Sequence, residues 1–229
     1  MTAEEIQARV LHRDGLMLVL DKPAGLPVHP GPKGGETLHR HLDALRFGLP
    51  RPPQAAHRLD KETSGCLVLG RHPKALALLG RLFKEGAVEK RYWAVVEGGP
   101  AEAEGKIDLP LAPRSPERGW WVKVDPAGQP ALTLWRVLGR GAGATWLELQ
   151  PVTGRTHQLR AHCAAMGWPI RGDAVYGTAP RFHGPPLHLH ARAVALPLNP
   201  RKEPVRVEAS VPDHMRAALA DCGAERTEP

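Results

Sequence analysis

The chain reads HRLDKETSG at residues 57–65, and an apolar run that predicts a short strand follows at 67–69. Short polar side chains ending in a glycine are typical of a loop, so this order predicts a loop at the edge of a sheet. Such loops often carry catalytic groups. Asp60 lies in this loop near Arg58 and Lys61, which would favour its charged form if they face it. By itself, a loop aspartate is weak evidence of catalysis.

A second polar cluster, TGRTHQLR at residues 153–160, leads into a predicted helix at 156–166. Three apolar residues spaced four and three apart form one stripe of this helix. Arg160 is off that stripe, so we expect its side chain to be exposed and able to point into a cleft. Charge alone would equally describe an ordinary basic helix face.

A third cluster, KRYW at residues 90–93, combines two cations with two aromatic rings at the start of a predicted strand at 92–96. Alternation places Arg91 and Trp93 on one face, and Lys90 and Tyr92 on the other. Cations beside aromatic rings suit stacking on nucleic-acid bases, although a tyrosine in a strand usually packs against a core.

The composition describes a basic chain with a substantial core. Of the 229 residues, 42% are hydrophobic, and 31 Lys and Arg against 24 Asp and Glu leave a formal charge of +7. An excess of cations favours a partner that carries phosphates. A genome biased toward arginine codons would produce the same excess, so charge alone does not decide the partner.

Several classes of protein are disfavoured by what the sequence lacks. The three cysteines lie far apart without a C-x-x-C pair, so we expect buried thiols rather than a zinc site or a disulfide framework. The longest apolar runs are of strand length, and the N-terminus does not resemble a secretory signal. We therefore expect a cytoplasmic protein with no membrane association.

The hydrophobic pattern predicts more strands than helices. Strands are predicted at 10–12, 16–20, 67–69, 92–96, 122–124, 132–137, 145–149, 187–196 and 205–209. Helices are predicted after a possible cap at Thr37 and at 73–85, 156–166 and 213–220. Without regular alternation of strands and helices, this pattern favours an α+β fold with a mixed, largely antiparallel central sheet. Residues 99–119 are predicted to be a variable strand-and-loop region, and residues 223–229 a frayed tail.

The loop at 57–65 resembles the active-site motif of the RluA-type pseudouridine synthases. Three other segments resemble motifs of the same family in the same order: DKPAGLPVHP at 21–30, KRYWAVV at 90–96 and GRTHQLRAH at 154–162. The first has Asp21 where the family commonly has Asn, and a GDAVYG segment follows at 172–177. One motif could arise by chance, whereas four in order are specific to the family.

This resemblance implies roles for individual residues. It implies that Asp60 is catalytic, that Tyr92 stacks on the target base and later accepts a proton, and that Arg160 pairs with Asp60. Arg58 matches an arginine linked to flipping out or replacing that base. The remaining residues expected to contact RNA or assist base flipping are His57, Lys22, Arg91, Arg155, His157 and Gln158.

The resemblance further implies the reaction and its setting. It implies an enzyme that isomerises specific uridines to pseudouridine in structured ribosomal or transfer RNA, with base flipping and without a cofactor or metal. The implied fold is a single catalytic domain at 1–222 around an RNA-binding cleft. Because the family pattern begins near residue 8, we expect no N-terminal S4 domain. We also expect a monomer with no obligate protein partner.

Three alternatives remain open on the sequence. Ser64, His57 and Asp60 lie together as in a serine hydrolase, but the G-x-S-x-G elbow is missing. His188 and His190 share a strand face as two metal ligands would, without an acidic or cysteine residue nearby to complete the site. A catalytically silent RNA-binding protein of the same fold is the third, and the presence of every expected catalytic residue argues against it.

Overall fold

The structure, a computed structural model, describes residues 1–31, 34–115 and 121–224. The chain forms two compact units: unit 1 comprises Met1–Lys90 and Ala191–Ser210, and unit 2 comprises Arg91–His190 and the residues from Val211 onward. The predicted single domain at 1–222 stays a prediction. Most of the predicted tail at 223–229 lies outside the described residues, as does part of the predicted loop region at 99–119.

Strands outnumber helices in the described part of the chain. The strands are β1 (Val10–Arg13), β2 (Met17–Lys22), β3 (Gln54–Ala55), β4 (Ser64–Gly70), β5 (Glu89–Glu97), β6 (Glu104–Asp108), β7 (Leu111–Pro113), β8 (Val122–Val124), β9 (Leu132–Gly141), β10 (Ala144–Pro151), β11 (Leu189–Leu196) and β12 (Val205–Glu208). The helices are α1 (Ala3–Gln7), α2 (Pro73–Lys84), α3 (Gln158–Ala165), α4 (Asp213–Asp221) and a 3₁₀ helix (Leu38–Leu45). Eight strand pairs, among them β2 with β4 and β9 with β10, are antiparallel, and together with the smaller number of helices they confirm the predicted α+β class.

Unit 1 is built around β4, which is buried along its whole length. β2 and β3 pair with β4, β1 pairs with β2, and β12 pairs with β11. α2 begins at Pro73, where His72 Nδ1 accepts a hydrogen bond from the Ala75 amide, and it buries Leu79 and Leu82 in the core of this unit. Because the first turn is capped and the apolar residues share one face, this segment forms the helix that the sequence predicts at 73–85.

Gly65, at the start of β4, has a positive φ of 102°. A Cβ atom there would lie 2.3 Å from the Ala191 carbonyl oxygen, so only glycine permits this close approach of the two backbones. The glycine that ends the HRLDKETSG stretch is therefore required by packing in unit 1.

Unit 2 contains the antiparallel strands β5, β10, β9 and β6 in that order. Alternation sends Leu147 and Leu149 of β10 into a core with Leu159 and Cys163 of α3. Trp146 points to the opposite face, where α4 covers it. The sheet of unit 2 is thus covered on both faces over part of its area, which holds β5 and α3 in defined positions.

Some predicted elements differ in detail from the observed ones. The short helix predicted after Thr37 is present as a 3₁₀ helix that buries Leu38, Leu42 and Leu45, but the predicted cap is wrong because the Thr37 side chain makes no capping hydrogen bond. α3 begins at Gln158 rather than 156, because His157 has a left-handed backbone with φ 50°. Short elements such as α1, with five residues, were too brief for periodicity to predict. None of the helices in the described ranges is long and apolar enough to cross a membrane.

Candidate active site

Asp60 lies in unit 1 on the loop that joins β3 to β4. Its side chain is half-buried, while the neighbouring Arg58 and Lys61 are exposed. The loop closes by a turn in which the Thr63 amide donates to the Asp60 carbonyl oxygen at 3.2 Å. Thr63 is buried, so the loop is anchored immediately after the carboxylate. The predicted loop is confirmed, and Asp60 is partly open to solvent on it.

Lys22, at the end of β2, holds this loop from the other side. The side chain is fully buried, and Nζ donates to the carbonyl oxygens of Pro23 at 2.9 Å, Leu26 at 2.9 Å and Lys61 at 3.0 Å. The Lys61 carbonyl also accepts from the Gly25 amide at 2.9 Å. An ammonium has three N–H donors, and here each one reaches a carbonyl. The sequence predicts an RNA contact for Lys22, but the structure places its ammonium inside the fold, tying the loop at 23–26 to the loop that carries Asp60.

Burial lowers the pKa of Lys22 to about 8, although the nearby carboxylates of Glu62, Asp60 and Asp21 act in the opposite direction. A pKa of about 8 keeps the amine protonated at neutral pH. The buried cation is therefore available both for its three hydrogen bonds and as positive charge behind the Asp60 loop.

His57 begins the same loop and is held in place as a neutral ring. Its Nε2 accepts the Val68 amide at 3.0 Å, and the ring stacks on Phe83 with centroids 4.3 Å apart. Burial, with a smaller effect of Lys90, lowers the pKa of His57 to about 3. These contacts give His57 a structural role within unit 1, and its predicted contact with RNA stays a prediction.

We expect acid to destabilise the protein through His57. A histidine whose pKa falls from 6.5 to about 3 on folding contributes stability that is complete above pH 6.5 and is lost as the pH falls toward 3. At about 1.4 kcal/mol per pH unit, the loss between pH 7.5 and pH 5 is about 2 kcal/mol. Urea unfolding of the wild type and of His57→Gln at both pH values measures it, because glutamine accepts the Val68 amide without titrating.

The control for this prediction is His39→Gln, since His39 is exposed. That variant should lose as much stability on acidification as the wild type, whereas His57→Gln should lose about 2 kcal/mol less. An equal acid loss in His57→Gln would show that His57 is not the group responsible.

Tyr92 and Arg91 are consecutive in β5 of unit 2 and point to opposite faces of the strand. Tyr92 is half-buried, lies opposite Leu149 of β10 and packs against the core of this unit. Arg91 is exposed and lines an open pocket of about 620 Å³ together with Lys106 and Arg136. The alternation predicted for the KRYW stretch is thus present, and it separates the tyrosine from the neighbouring arginine.

Arg160, in the first turn of α3, is the largest departure from expectation. The sequence predicts an exposed side chain, but Arg160 is only 6% exposed. Its Nε donates to Asp173 Oδ2 at 2.7 Å, and its Nη2 donates to Asp173 Oδ1 at 2.8 Å. The prediction of exposure is wrong because this two-point ion pair, which an apolar stripe does not reveal, draws the guanidinium into unit 2. The predicted pairing of Arg160 with Asp60 stays a prediction.

The residues just before Arg160 organise the start of α3. Gln158 is buried: its Oε1 accepts from Thr153 Oγ1 and the Arg155 amide, while its Nε2 donates to the Leu132 carbonyl and Thr133 Oγ1. The sequence predicts Gln158 as an RNA contact, but each of its polar atoms bonds within the protein.

His157 and Arg155 flank this network on the surface side. His157 Nδ1 lies 3.1 Å from the Tyr176 hydroxyl, and Arg155 is exposed with Nε donating to the Pro130 carbonyl at 3.0 Å. RNA contacts by these two residues stay predictions.

Asp173 is the functional candidate that sequence reasoning missed. It is 1% exposed, and it bonds Arg160 from 13 residues further along the chain. The GDAVYG segment was visible in the sequence but had no assigned role. Helix and strand periodicity relate only residues a few positions apart, so they do not predict a contact between Arg160 and Asp173, which are 13 residues apart.

Both rival sites are disfavoured by the contacts of their residues. A serine hydrolase needs a histidine nitrogen that accepts the serine proton, but Ser64 is buried and His57 Nε2 already accepts the Val68 amide. His188 Nδ1 bonds the Pro186 carbonyl at 2.9 Å. Within the described ranges, no three His, Cys, Asp or Glu side chains are grouped so that they could hold a metal ion.

Comparison with known proteins decides between the remaining classes. Residues 16–165, which include the Asp60 loop, Tyr92 and Arg160, match the family described as RNA pseudouridylate synthase. The chain belongs to this family. It is accordingly a pseudouridine synthase, an isomerase that acts on uridine in RNA, and the predicted recognition, fold class and activity are confirmed.

Individual pseudouridine synthases are similar over most of the chain. An uncharacterized RNA pseudouridine synthase of Zymomonas mobilis is 43% identical over 206 residues, covering 89% of this chain and 94% of its own. The ribosomal large subunit pseudouridine synthase C of Vibrio cholerae is 35% identical over 225 residues, covering 94% and 69%. The structure of human RNA pseudouridylate synthase domain containing 4 aligns with a TM-score of 0.81 at 29% identity, covering 96% and 95%.

Proposed function

We propose that this pseudouridine synthase modifies specific uridines in folded ribosomal or transfer RNA, and that Asp60 is its catalytic residue. The observation that carries the proposal is the HRLDKETSG loop, which lies within the family match and presents a half-buried aspartate. The Lys22 hydrogen bonds behind this loop support it, because a catalytic group must be held in position before substrate arrives.

The reaction conserves every atom of the nucleotide. The bond between uracil N1 and ribose C1′ breaks, and a bond between uracil C5 and the same ribose carbon forms. A proton leaves C5, and N1 gains one. Because nothing is oxidised or reduced, we propose that acid–base and covalent chemistry by side chains is sufficient, with Asp60 as the carboxylate that reacts.

We propose the remaining roles from the family resemblance. Tyr92 would stack on the target base and later accept the C5 proton, and Arg160 would pair with the Asp60 carboxylate. The exposed Arg58 would occupy the space that the flipped base leaves. Extruding a base from a stack costs a few kcal/mol, which cation and stacking contacts can offset.

We also propose where the enzyme acts. The names of two relatives, the Vibrio synthase and a Nitrosomonas europaea synthase D, refer to the large ribosomal subunit, so ribosomal RNA is the first substrate to test. The net charge of +7 supports binding to the phosphate backbone. We propose a monomer that acts in the cytoplasm, and light scattering of the purified protein tests the first of these statements.

The proposed function is tested with unmodified ribosomal and transfer RNA transcripts. Incubation with the purified protein should produce pseudouridine at one or a few positions, mapped by chemical labelling and primer extension. Binding without any pseudouridine in either RNA would favour the silent RNA-binding alternative. Modification of transfer RNA alone would overturn the ribosomal assignment and leave the chemistry intact.

A further inference from the structure

Arg160 and Asp173 form a buried, planar ion pair inside unit 2. The side chains are 7% and 0% exposed, and two parallel N–H···O contacts of 2.7 and 2.8 Å join them. A two-point contact between two flat groups fixes distance and also orientation. Because Nε and Nη2 are both committed to Asp173, the direction in which Nη1 points is set by the position of the Asp173 carboxylate.

The Asp173 carboxylate is itself held by the backbone. Its Oδ1 accepts the amides of Val175 at 2.8 Å and Tyr176 at 3.0 Å. The preceding Gly172 has φ 80°, and a Cβ atom there would lie 2.1 Å from the Pro186 carbonyl oxygen. Only glycine fits at this position, so the close packing of residue 172 against Pro186 fixes the backbone of the turn that carries Asp173.

Tyr176, from the same turn, restrains the guanidinium further. Its ring centroid is 5.4 Å from Arg160 Cζ, within the range of a cation–π contact. Its hydroxyl accepts the Val122 amide at 3.0 Å and lies 3.1 Å from His157 Nδ1. The GDAVYG segment thus provides both a carboxylate and an aromatic ring to a single arginine.

This arrangement is poorly explained by stability alone. Replacing a buried ion pair with apolar side chains of similar volume is often neutral or stabilising, so such pairs are weak evidence of a stabilising role. The pKa of Asp173 nonetheless lies below its usual value: burial would raise it, but the hydrogen bonds and charge of Arg160 and the two backbone amides outweigh burial. The carboxylate therefore remains charged, as orienting a cation requires.

We propose that Asp173 is a positioning residue that orients Arg160 for catalysis, with Tyr176 as the second support. This inference rests on the proposed role of Arg160 at the active site. Asp173 acts through the arginine and has no contact of its own with substrate. Loss of the carboxylate should therefore lower turnover without weakening RNA binding.

The test is Asp173→Asn, which removes one contact selectively. An asparagine oxygen in the place of Oδ1 retains the bonds from the Val175 and Tyr176 amides, whereas its amide nitrogen in the place of Oδ2 faces Arg160 Nε donor to donor. We expect kcat for pseudouridine formation to fall about 100-fold, the size of effect that a small misplacement of a catalytic group produces, with KM for RNA changed less than about threefold.

Arg160→Met and the double variant show whether Asp173 acts through the arginine. In the Arg160→Met background, Asp173→Asn should lower kcat no further, because the group to be oriented is absent. Glu208→Gln is the control, since Glu208 pairs with Arg192 at 2.8 Å in unit 1 and is 65% exposed. It should leave kcat unchanged.

Each outcome has a separate meaning. Unchanged kcat in Asp173→Asn, or an equal loss of kcat in the Arg160→Met background, would overturn the positioning role. If Asp173→Asn does not fold, Asp173→Glu replaces it, since the longer side chain retains the charge but shifts both oxygens; full kcat in that folded variant would also overturn the proposal. A wild type that forms no pseudouridine would instead overturn the proposed function, independently of these comparisons.

Discussion

Asp60→Asn is expected to abolish pseudouridine formation while RNA binding persists. The substitution retains the shape of the side chain but removes its negative charge, so neither nucleophilic attack nor proton transfer by the carboxylate is available. Removing the reacting group of an enzyme lowers kcat by more than about 10³-fold. Phosphate contacts depend on cations elsewhere on the surface, so the affinity for RNA should change less than about threefold.

The measurement is single-turnover formation of pseudouridine on the RNA that the wild type modifies, with binding followed by filter retention. Glu62→Gln is the matched control, because Glu62 lies in the same turn, is exposed and forms a 3.5 Å ion pair with Lys61. It loses the same charge two residues away and should retain full turnover. Wild-type turnover in Asp60→Asn would assign the chemistry to another residue.

Lys22→Met should cause the second large effect, a loss of about 3 kcal/mol in the free energy of unfolding. Methionine fills a similar volume but leaves three carbonyl oxygens without the donor that they share. A buried acceptor left unsatisfied costs about 1–3 kcal/mol. The Pro23 and Leu26 carbonyls lose the ammonium donor, whereas the Lys61 carbonyl keeps the Gly25 amide, and the removed cost of burying a charge offsets part of the sum. Urea unfolding at neutral pH, followed by circular dichroism, measures the change.

Lys61→Met is the control for this variant. The Lys61 side chain is 61% exposed, and its only described ion pair is the 3.5 Å contact with Glu62, so its replacement should change stability by less than about 0.5 kcal/mol. Lys22→Met should also reduce turnover, because the ammonium no longer ties the loop at 23–26 to the Asp60 loop. A Lys22→Met protein as stable as Lys61→Met would contradict the structural role of the buried ammonium.

Regular elements followed from local signals where those signals were complete. The helix at 73–85 was predicted almost to the residue, because Pro73 marks its start, Gly86 marks its end and apolar residues mark one face. The start of α3 was missed because the left-handed backbone at His157 depends on contacts that its sequence does not express. Prediction was reliable for a helix whose sequence shows a periodic apolar face and a clear start. It was unreliable at a helix end whose position depends on tertiary packing.

The candidate site divides in the same way. Residue type and spacing were sufficient to place Asp60 on a loop and to identify the family, because four motifs occur along the chain in the order that the family has. The surroundings of the motif residues were not predictable. Sequence alone described Lys22 and Gln158 as RNA contacts, whereas both are buried and bonded within the protein.

What the sequence by itself determined is the family of the enzyme and its α+β class, and it supplied the residues that we propose for its chemistry. Only the tertiary structure decided which of those residues face inward: the Lys22 ammonium behind the Asp60 loop, and the Arg160 guanidinium on Asp173. The physical reason is that a motif gives only the order of side chains along the chain. Burial of a charge depends on partners that folding brings from distant positions in the sequence. The sequence contained Asp173 within the GDAVYG segment, but only the ion pair with Arg160 suggested a role for it.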